Sequence, residues 1–263
     1  MTIDPALLAL VDSLRRERFP AADCVLLCGS IVRGEGTATS DLDLVVLFPH
    51  VEAAWRESFH YVGGGVGRDR GAGWPVECFC HDLETAEYYF TALDRPSATG
   101  GLTHMVLEGV AVPGDTALSR RLVARAQANF DAGPPVWTPA ERDYSRYSIS
   151  GLMDDLRGAT AHAERCAIAT VLYALLSQNW FRQRGLWVAH GKLIVRRMRR
   201  VDAAFATRFE LAFADLFAGD RLERLLALCA EVLAPEGGPL FAGFDPPRDP
   251  AQRMPVPEDG AGA

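Results

Sequence analysis

The sequence predicts an α+β protein, with a small mixed sheet and covering helices in its N-terminal part and a helical bundle behind it. Three observations predict it. Short apolar runs of strand type (residues 25–28, 44–48 and 74–81) alternate with amphipathic helical stretches up to residue 132. The segment Ala132-Gly133-Pro134-Pro135 then breaks the pattern, because proline and glycine cannot continue a helix there. From Thr138 onward the apolar periodicity is helical throughout. The expected division is therefore a sheet domain over residues 1–132, a helical bundle over 136–234 and a Pro/Gly-rich tail over 235–263.

Composition frames this reading. A chain of 263 residues, 49% hydrophobic and 23% charged, can bury a substantial core and suits one large domain or two smaller ones. The first residues lack the basic end, apolar core and cleavage site of a signal peptide, and no apolar run reaches membrane-spanning length, so a cytoplasmic protein without a membrane partner is expected. The six cysteines have no zinc-ligand spacing, and Cys24, Cys28, Cys78 and Cys80 fall in strand-like runs where buried free thiols are expected. The net charge of −7 weighs against a nucleic-acid partner and is compatible with a cationic one, in a monomer or homodimer.

Taken in order, Asp4-Pro5 is an N-cap followed by a proline at N1, and Leu7, Leu8, Leu10, Val11 and Leu14 form an apolar stripe over a helix to about Arg18. The strand at 25–28 ends in Gly29-Ser30, where a sharp turn and a helix start expose backbone N–H groups able to hold phosphate oxygens. A polar, glycine-bearing loop follows. Asp41-Leu42-Asp43 then opens the strand at 44–48, and strand alternation sets both aspartates on one face and Leu42 and Leu44 on the other. Two carboxylates held side by side repel unless a cation lies between them. Beside a phosphate cradle the natural cation is Mg2+, which takes oxygen ligands.

Gly-Ser followed about ten residues on by Ser-Asp-x-Asp, in the extended form GSIVRGEGTATSDLDLVV, resembles the signature of the polymerase-β-like nucleotidyltransferase superfamily, and is closest to the aminoglycoside (kanamycin-type) nucleotidyltransferases. The motif likeness covers about residues 24–80, and beyond that the likeness is one of layout. The resemblance implies a nucleotidyltransferase whose cofactors are Mg2+ and a nucleoside triphosphate, ATP being the one expected, with a small hydroxylated acceptor. Asp41 and Asp43 would be metal ligands, and Gly29, Ser30, Arg33 and Ser40 would hold the nucleotide. Glu77, isolated among apolar neighbours in the strand at 74–81, is the expected third carboxylate, as metal ligand or as base. A different class of reading, an antitoxin-like enzyme that modifies a protein or a nucleotide sensor without turnover, stays open.

The remaining elements follow the same logic. Residues 55–62 read as either helix or strand, and GGGVGRDRGAG after them reads as a surface loop, since no Lys-Ser/Thr closes it as a phosphate loop would. Asp82 should cap a helix over 83–93, residues 99–108 look helical, 109–113 form a last short strand, and Asp115 should cap a helix to about Asp131. In the bundle, Thr138-Pro139-Ala140-Glu141 is a capping box with proline at N1. The helix at 162–184 looks apolar on most of its circumference and hence central, and helices follow near 192–200, 202–217 and 221–233. Lys192 and Arg196, one turn apart, are candidate triphosphate ligands, and Asp154 and Asp155, about 100° apart on their helix, are candidates for an acceptor ammonium. His162 precedes Arg165, the reverse of the order found in helical ribonuclease toxins, and both read as surface residues.

Overall fold

The structure is a computed structural model that describes residues 3–63, 73–245 and 248. The central part of the glycine-rich stretch, residues 64–72, and the distal tail lie outside the described residues. The contacts of the chain divide it into one unit of Met1–Pro135 with Gly185–Val188, and another of Val136–Arg184 with Ala189–Ala263.

The first unit is built on a five-stranded mixed sheet with strand order β3-β4-β2-β1-β5. Its strands are β1 (Cys24–Cys28), β2 (Leu42–Leu47), β3 (Trp55–Tyr61), β4 (Trp74–His81) and β5 (Val110–Val112). The ambiguous stretch at 55–62 is thus a strand, and β3 pairs antiparallel with β4 along its whole length. β2 runs antiparallel to β1 but parallel to β4.

Alternation along the strands separates two cores. On one face, Val25, Leu27, Leu42, Leu44, Val46, Val76, Cys78 and Cys80 pack against Leu7, Leu10, Val11 and Leu14 of α1 (Pro5–Arg18), whose N-terminus is capped by the Asp4 side chain accepting from the Ala6 N–H. Each such leucine, fully buried, contributes about 1.5–3 kcal/mol relative to an exposed one. On the other face, Leu26, Cys28, Val45 and Leu47 meet Ala86, Phe90, Leu102, Val106, Leu122 and Ala126. These come from the helical stretch that covers this face. After the single turn of α2 (Gly29–Val32), the stretch comprises α3 (Leu83–Tyr88), a π-helical turn Tyr89–Asp94, α4 (Arg95–Ser97), α5 (Gly101–Glu108) and α6 (Ala117–Ala132).

Two sequence expectations change here. The helix over 83–93 is capped by Asp82 as expected, but its second half widens to π geometry before α4. The cap of α6 is Thr116 and not Asp115. The Thr116 hydroxyl accepts from the Ser119 N–H, Ser119 Oγ returns to the Thr116 N–H, and Thr116 also donates to Asp23, a partner from the start of β1 that local sequence does not reveal.

The second unit is all-helical: α7 (Pro139–Gly158), α8 (His162–Gln183), α9 (Leu193–Val201), α10 (Ala203–Gly219) and α11 (Glu223–Leu233). The Thr138/Glu141 capping box forms as expected. α8 is less evenly buried than its composition suggests. Val171 is 53% exposed, and burial around most of the helix begins only at Leu176, where Trp180 stacks on Phe205 at 4.9 Å. The tail departs from a purely extended one. A 3-10 turn Ala234–Glu236 ends the bundle, Arg146 Nε donates to the Gly238 carbonyl, the Leu240 N–H donates to Ser150 Oγ, and Phe244 stacks on Tyr147 at 4.1 Å. Phe244 gives this stretch an aromatic ring to set against α7, which proline and glycine content alone does not convey.

Candidate active site

The register of the sheet puts the site in one row. Cys28 of β1 is the partner of Asp43 in β2, Asp43 is the partner of Glu77 in β4, and Glu77 is the partner of Ser58 in β3. Directly paired residues share a face, so the row runs across four strands on the face that carries Cys28, Val45 and Leu47 and packs against the helices of residues 83–126. Asp41 stands one residue before β2 and two before Asp43, on the same side. One carboxylate oxygen each from Asp41, Asp43 and Glu77 lies within 4.8 Å of the other two, and all three residues are half-buried. Full negative charges at such separations repel by the order of 3 kcal/mol per pair at a protein surface, so the arrangement calls for a cation.

A cation from the chain answers part of that demand. The guanidinium of Arg56, on the edge strand β3, forms an ion pair with Glu77 and lies 4.8 Å over the ring of Phe79. Arg56 is opposite Phe79 in the ladder and so diagonal to Glu77 on the same face.

Gly29 makes the neighbouring wall. Its φ is +77°, a left-handed conformation at odds with a side chain, and a Cβ added there would fall 1.9 Å from Asp43 Oδ2. The backbone therefore closes directly onto the carboxylate. α2 starts at this residue and is a single turn, with Ser30 5% exposed. The Ser30 hydroxyl donates to Ser40 Oγ at 3.2 Å, and Ser40 Oγ accepts from the Thr37 N–H at 2.8 Å. Ser30 and Ser40, both expected at the nucleotide, thus meet each other and tie the loop down just before Asp41.

Arg33, also expected at the nucleotide, is turned to Glu35 at 3.0 Å and Glu108 at 2.7 Å. Burial opposes its charge, but the hydrogen bonds to Glu108 and Glu35 outweigh that and hold the guanidinium more firmly protonated than a free arginine. Of the thiols near the row, Cys28 is fully buried, donates to the Leu26 carbonyl and is pushed well above the usual thiol range by burial, so it is a packing residue and not a nucleophile.

Asp154, Asp155, Lys192 and Arg196 belong to the second unit. Asp154 is exposed and paired with Arg157 at 2.5 Å, Asp155 is exposed beside it, and Lys192 is the N-cap residue of α9, which carries Arg196. Within the first unit the structure thus brings Asp41, Asp43, Glu77, Gly29 and Ser30 together. Sequence reasoning missed Arg56. The signal that finds it is the strand assignment of 55–61, after which Arg56, Ser58 and His60 fall on one face.

Residues 13–77 match the family model of the nucleotidyltransferase domain, a span that runs from α1 and ends on Glu77. No sequence among the curated proteins matches the chain. None of the helices among the described residues is long and apolar enough to cross a membrane. With the matched span covering the Gly29 turn and all three carboxylates, the N-terminal part of the chain carries a nucleotidyltransferase domain of the polymerase-β-like superfamily, which supports a nucleotidyltransferase enzyme.

Proposed function

We propose that the protein transfers AMP from ATP, with Mg2+ as cofactor, to a hydroxyl group of a small polycationic acceptor of the aminoglycoside kind. The observation that carries this reading is the row in which Asp41, Asp43 and Glu77 converge beside the Gly29 turn. Enzymes of this family use a nucleoside triphosphate and a divalent metal. The donor set here fits one, because three carboxylate oxygens within 4.8 Å of one another make a hard, anionic site. Asp41, Asp43 and Glu77 would hold Mg2+, which when bound supplies charge neutralisation and orientation at the α-phosphoryl group.

The chain's own groups do the rest. The turn at Gly29 and Ser30 presents backbone N–H groups to the outer phosphates, and the absence of a side chain at Gly29 lets them lie against the Asp43 carboxylate. Glu77 accepts the proton of the acceptor hydroxyl as that oxygen bonds to the α-phosphorus and pyrophosphate leaves. Lys192 and Arg196 offer positive charge to the triphosphate, and Asp154 and Asp155 offer negative charge to acceptor ammonium groups. The net charge of −7 supports a cationic acceptor over a polyanionic one.

The test is transfer of label from α-labelled ATP, GTP, CTP and UTP, with Mg2+, to a panel of aminoglycosides, with pyrophosphate release followed in parallel. Label appearing on an aminoglycoside from ATP supports the reading. Label appearing on protein, or no transfer to any acceptor, overturns it.

A further inference from the structure

We propose that Arg56 is a tethered counter-ion for the carboxylate site: it neutralises Glu77 in the metal-free protein, competes with the incoming divalent ion for that carboxylate, and so sets the affinity of the site for metal. This rests on the reading of Asp41, Asp43 and Glu77 as metal ligands. Three observations carry it. The Arg56–Glu77 ion pair engages a carboxylate whose oxygen also belongs to the three-residue cluster, so the same group serves two cations. Arg56 reaches it from the edge strand β3, on the open side of the row, with 58% of its side chain exposed. The guanidinium also rests over the Phe79 ring at 4.8 Å, a second contact that keeps it at the rim when Glu77 is taken from it.

The energetics favour an exchange. Three carboxylates this close are costly without a cation, and the singly charged guanidinium paired with Glu77 offsets part of that cost. A divalent ion that takes an oxygen from each residue offsets more, but must share or compete for the Glu77 carboxylate with Arg56 and sit near a like charge. Removing this partly exposed ion pair together with the nearby positive charge should tighten metal binding by about three- to tenfold. The released guanidinium stays at the β3 edge of the row, at the opposite end from the Gly29 turn.

The experiment is a Mn2+ titration of the full chain, read by electron paramagnetic resonance of the free ion and by calorimetry, on wild type, Arg56→Gln, Arg56→Met, Arg56→Lys, Glu77→Gln and Asp41→Asn/Asp43→Asn, with circular dichroism to confirm folding. Arg56→Gln and Arg56→Met should bind Mn2+ about three- to tenfold more tightly than wild type, and Arg56→Lys should stay near it. The gain should shrink when Arg56→Gln is made in the Glu77→Gln background, a coupling that a merely structural residue would not show. Saturable Mn2+ binding by wild type that is unchanged or weaker in Arg56→Gln and Arg56→Met overturns the role of Arg56 and leaves the metal site standing. Absence of saturable binding in wild type overturns both readings.

Discussion

The Cα of Gly29 faces the carboxylate of Asp43 so closely that no side chain fits between them: an added Cβ would lie 1.9 Å from Oδ2 and 2.7 Å from Cγ. The left-handed φ of +77° at the same residue means that two independent constraints select glycine there. Gly29→Ala should therefore lose most nucleotidyl transfer and destabilise the first unit by about 2 kcal/mol or more, through strain and through displacement of Asp43. Thermal melts and label transfer measured on the same preparation check it, and an active, equally stable variant would contradict the geometry.

Asp41→Asn and Asp43→Asn should each abolish transfer while leaving the melting temperature in metal-free buffer unchanged or higher. Removing one of three clustered carboxylates relieves repulsion among them, part of which Arg56 offsets at Glu77. The contrast between a dead enzyme and an undiminished melt separates a functional cluster from a structural one.

Stability should fall on mild acidification because of His81. Its ring is 2% exposed, in edge contact with Tyr89 at 4.7 Å, and burial lowers its pKa to about 4 against the opposing pull of Asp82. A depressed pKa means that the neutral form is favoured in the fold. The contribution is complete above the ordinary histidine value of about 6.5 and is lost as pH falls from there toward 4, by the order of 3 kcal/mol in total. Urea unfolding between pH 7 and pH 4.5 on wild type and His81→Gln reads this out: the slope with pH should be shallower in the variant.

Phe244→Ala should cost about 1 kcal/mol of stability in the second unit, since the ring is stacked on Tyr147 at 4.1 Å with planes 10° apart. A shift of the melting midpoint without loss of transfer is expected. No shift would show that the contact contributes nothing in solution.

For a cationic acceptor, Asp155→Asn should raise the Michaelis constant more than Asp154→Asn, because Asp154 is already engaged by Arg157 at 2.5 Å. The lost interaction is worth roughly 1 kcal/mol, or about fivefold, and should diminish at high salt while nucleotide affinity stays constant. Michaelis constants at two ionic strengths decide it, and a null result for both residues removes them from the acceptor site.

Much of the site was readable because its chemistry is local. Asp41 and Asp43 sit on a strict alternation with Leu42 and Leu44, and the burial of both leucines follows from that period alone. Glu77 stood out as the one acidic residue in an apolar strand. What escaped depends on partners far away in sequence. Asp115 and Thr116 are comparable N-caps locally, and the hydrogen bond from Thr116 to Asp23 accompanies the structure's choice between them. Arg33, expected at the nucleotide, is paired with Glu108 of α5, a partner that its own loop does not announce. Arg56 was invisible while residues 55–62 had no definite period, since a helix would have pointed it elsewhere.

The strand order has a consequence for how the site comes into being. β4 lies between β3 and β2, so Glu77 meets Asp43 across a parallel pairing of strands that are not consecutive in the chain. Parallel pairing across such a sequence separation is slow relative to closing a hairpin, so the carboxylate cluster is assembled late. A ligand that bridges β2 and β4 at Asp43 and Glu77 clamps the last-formed seam of the sheet. Backbone amides of residues 76–80 should then exchange with solvent more slowly when Mn2+ is added, while those of β1 and β5 keep their rates.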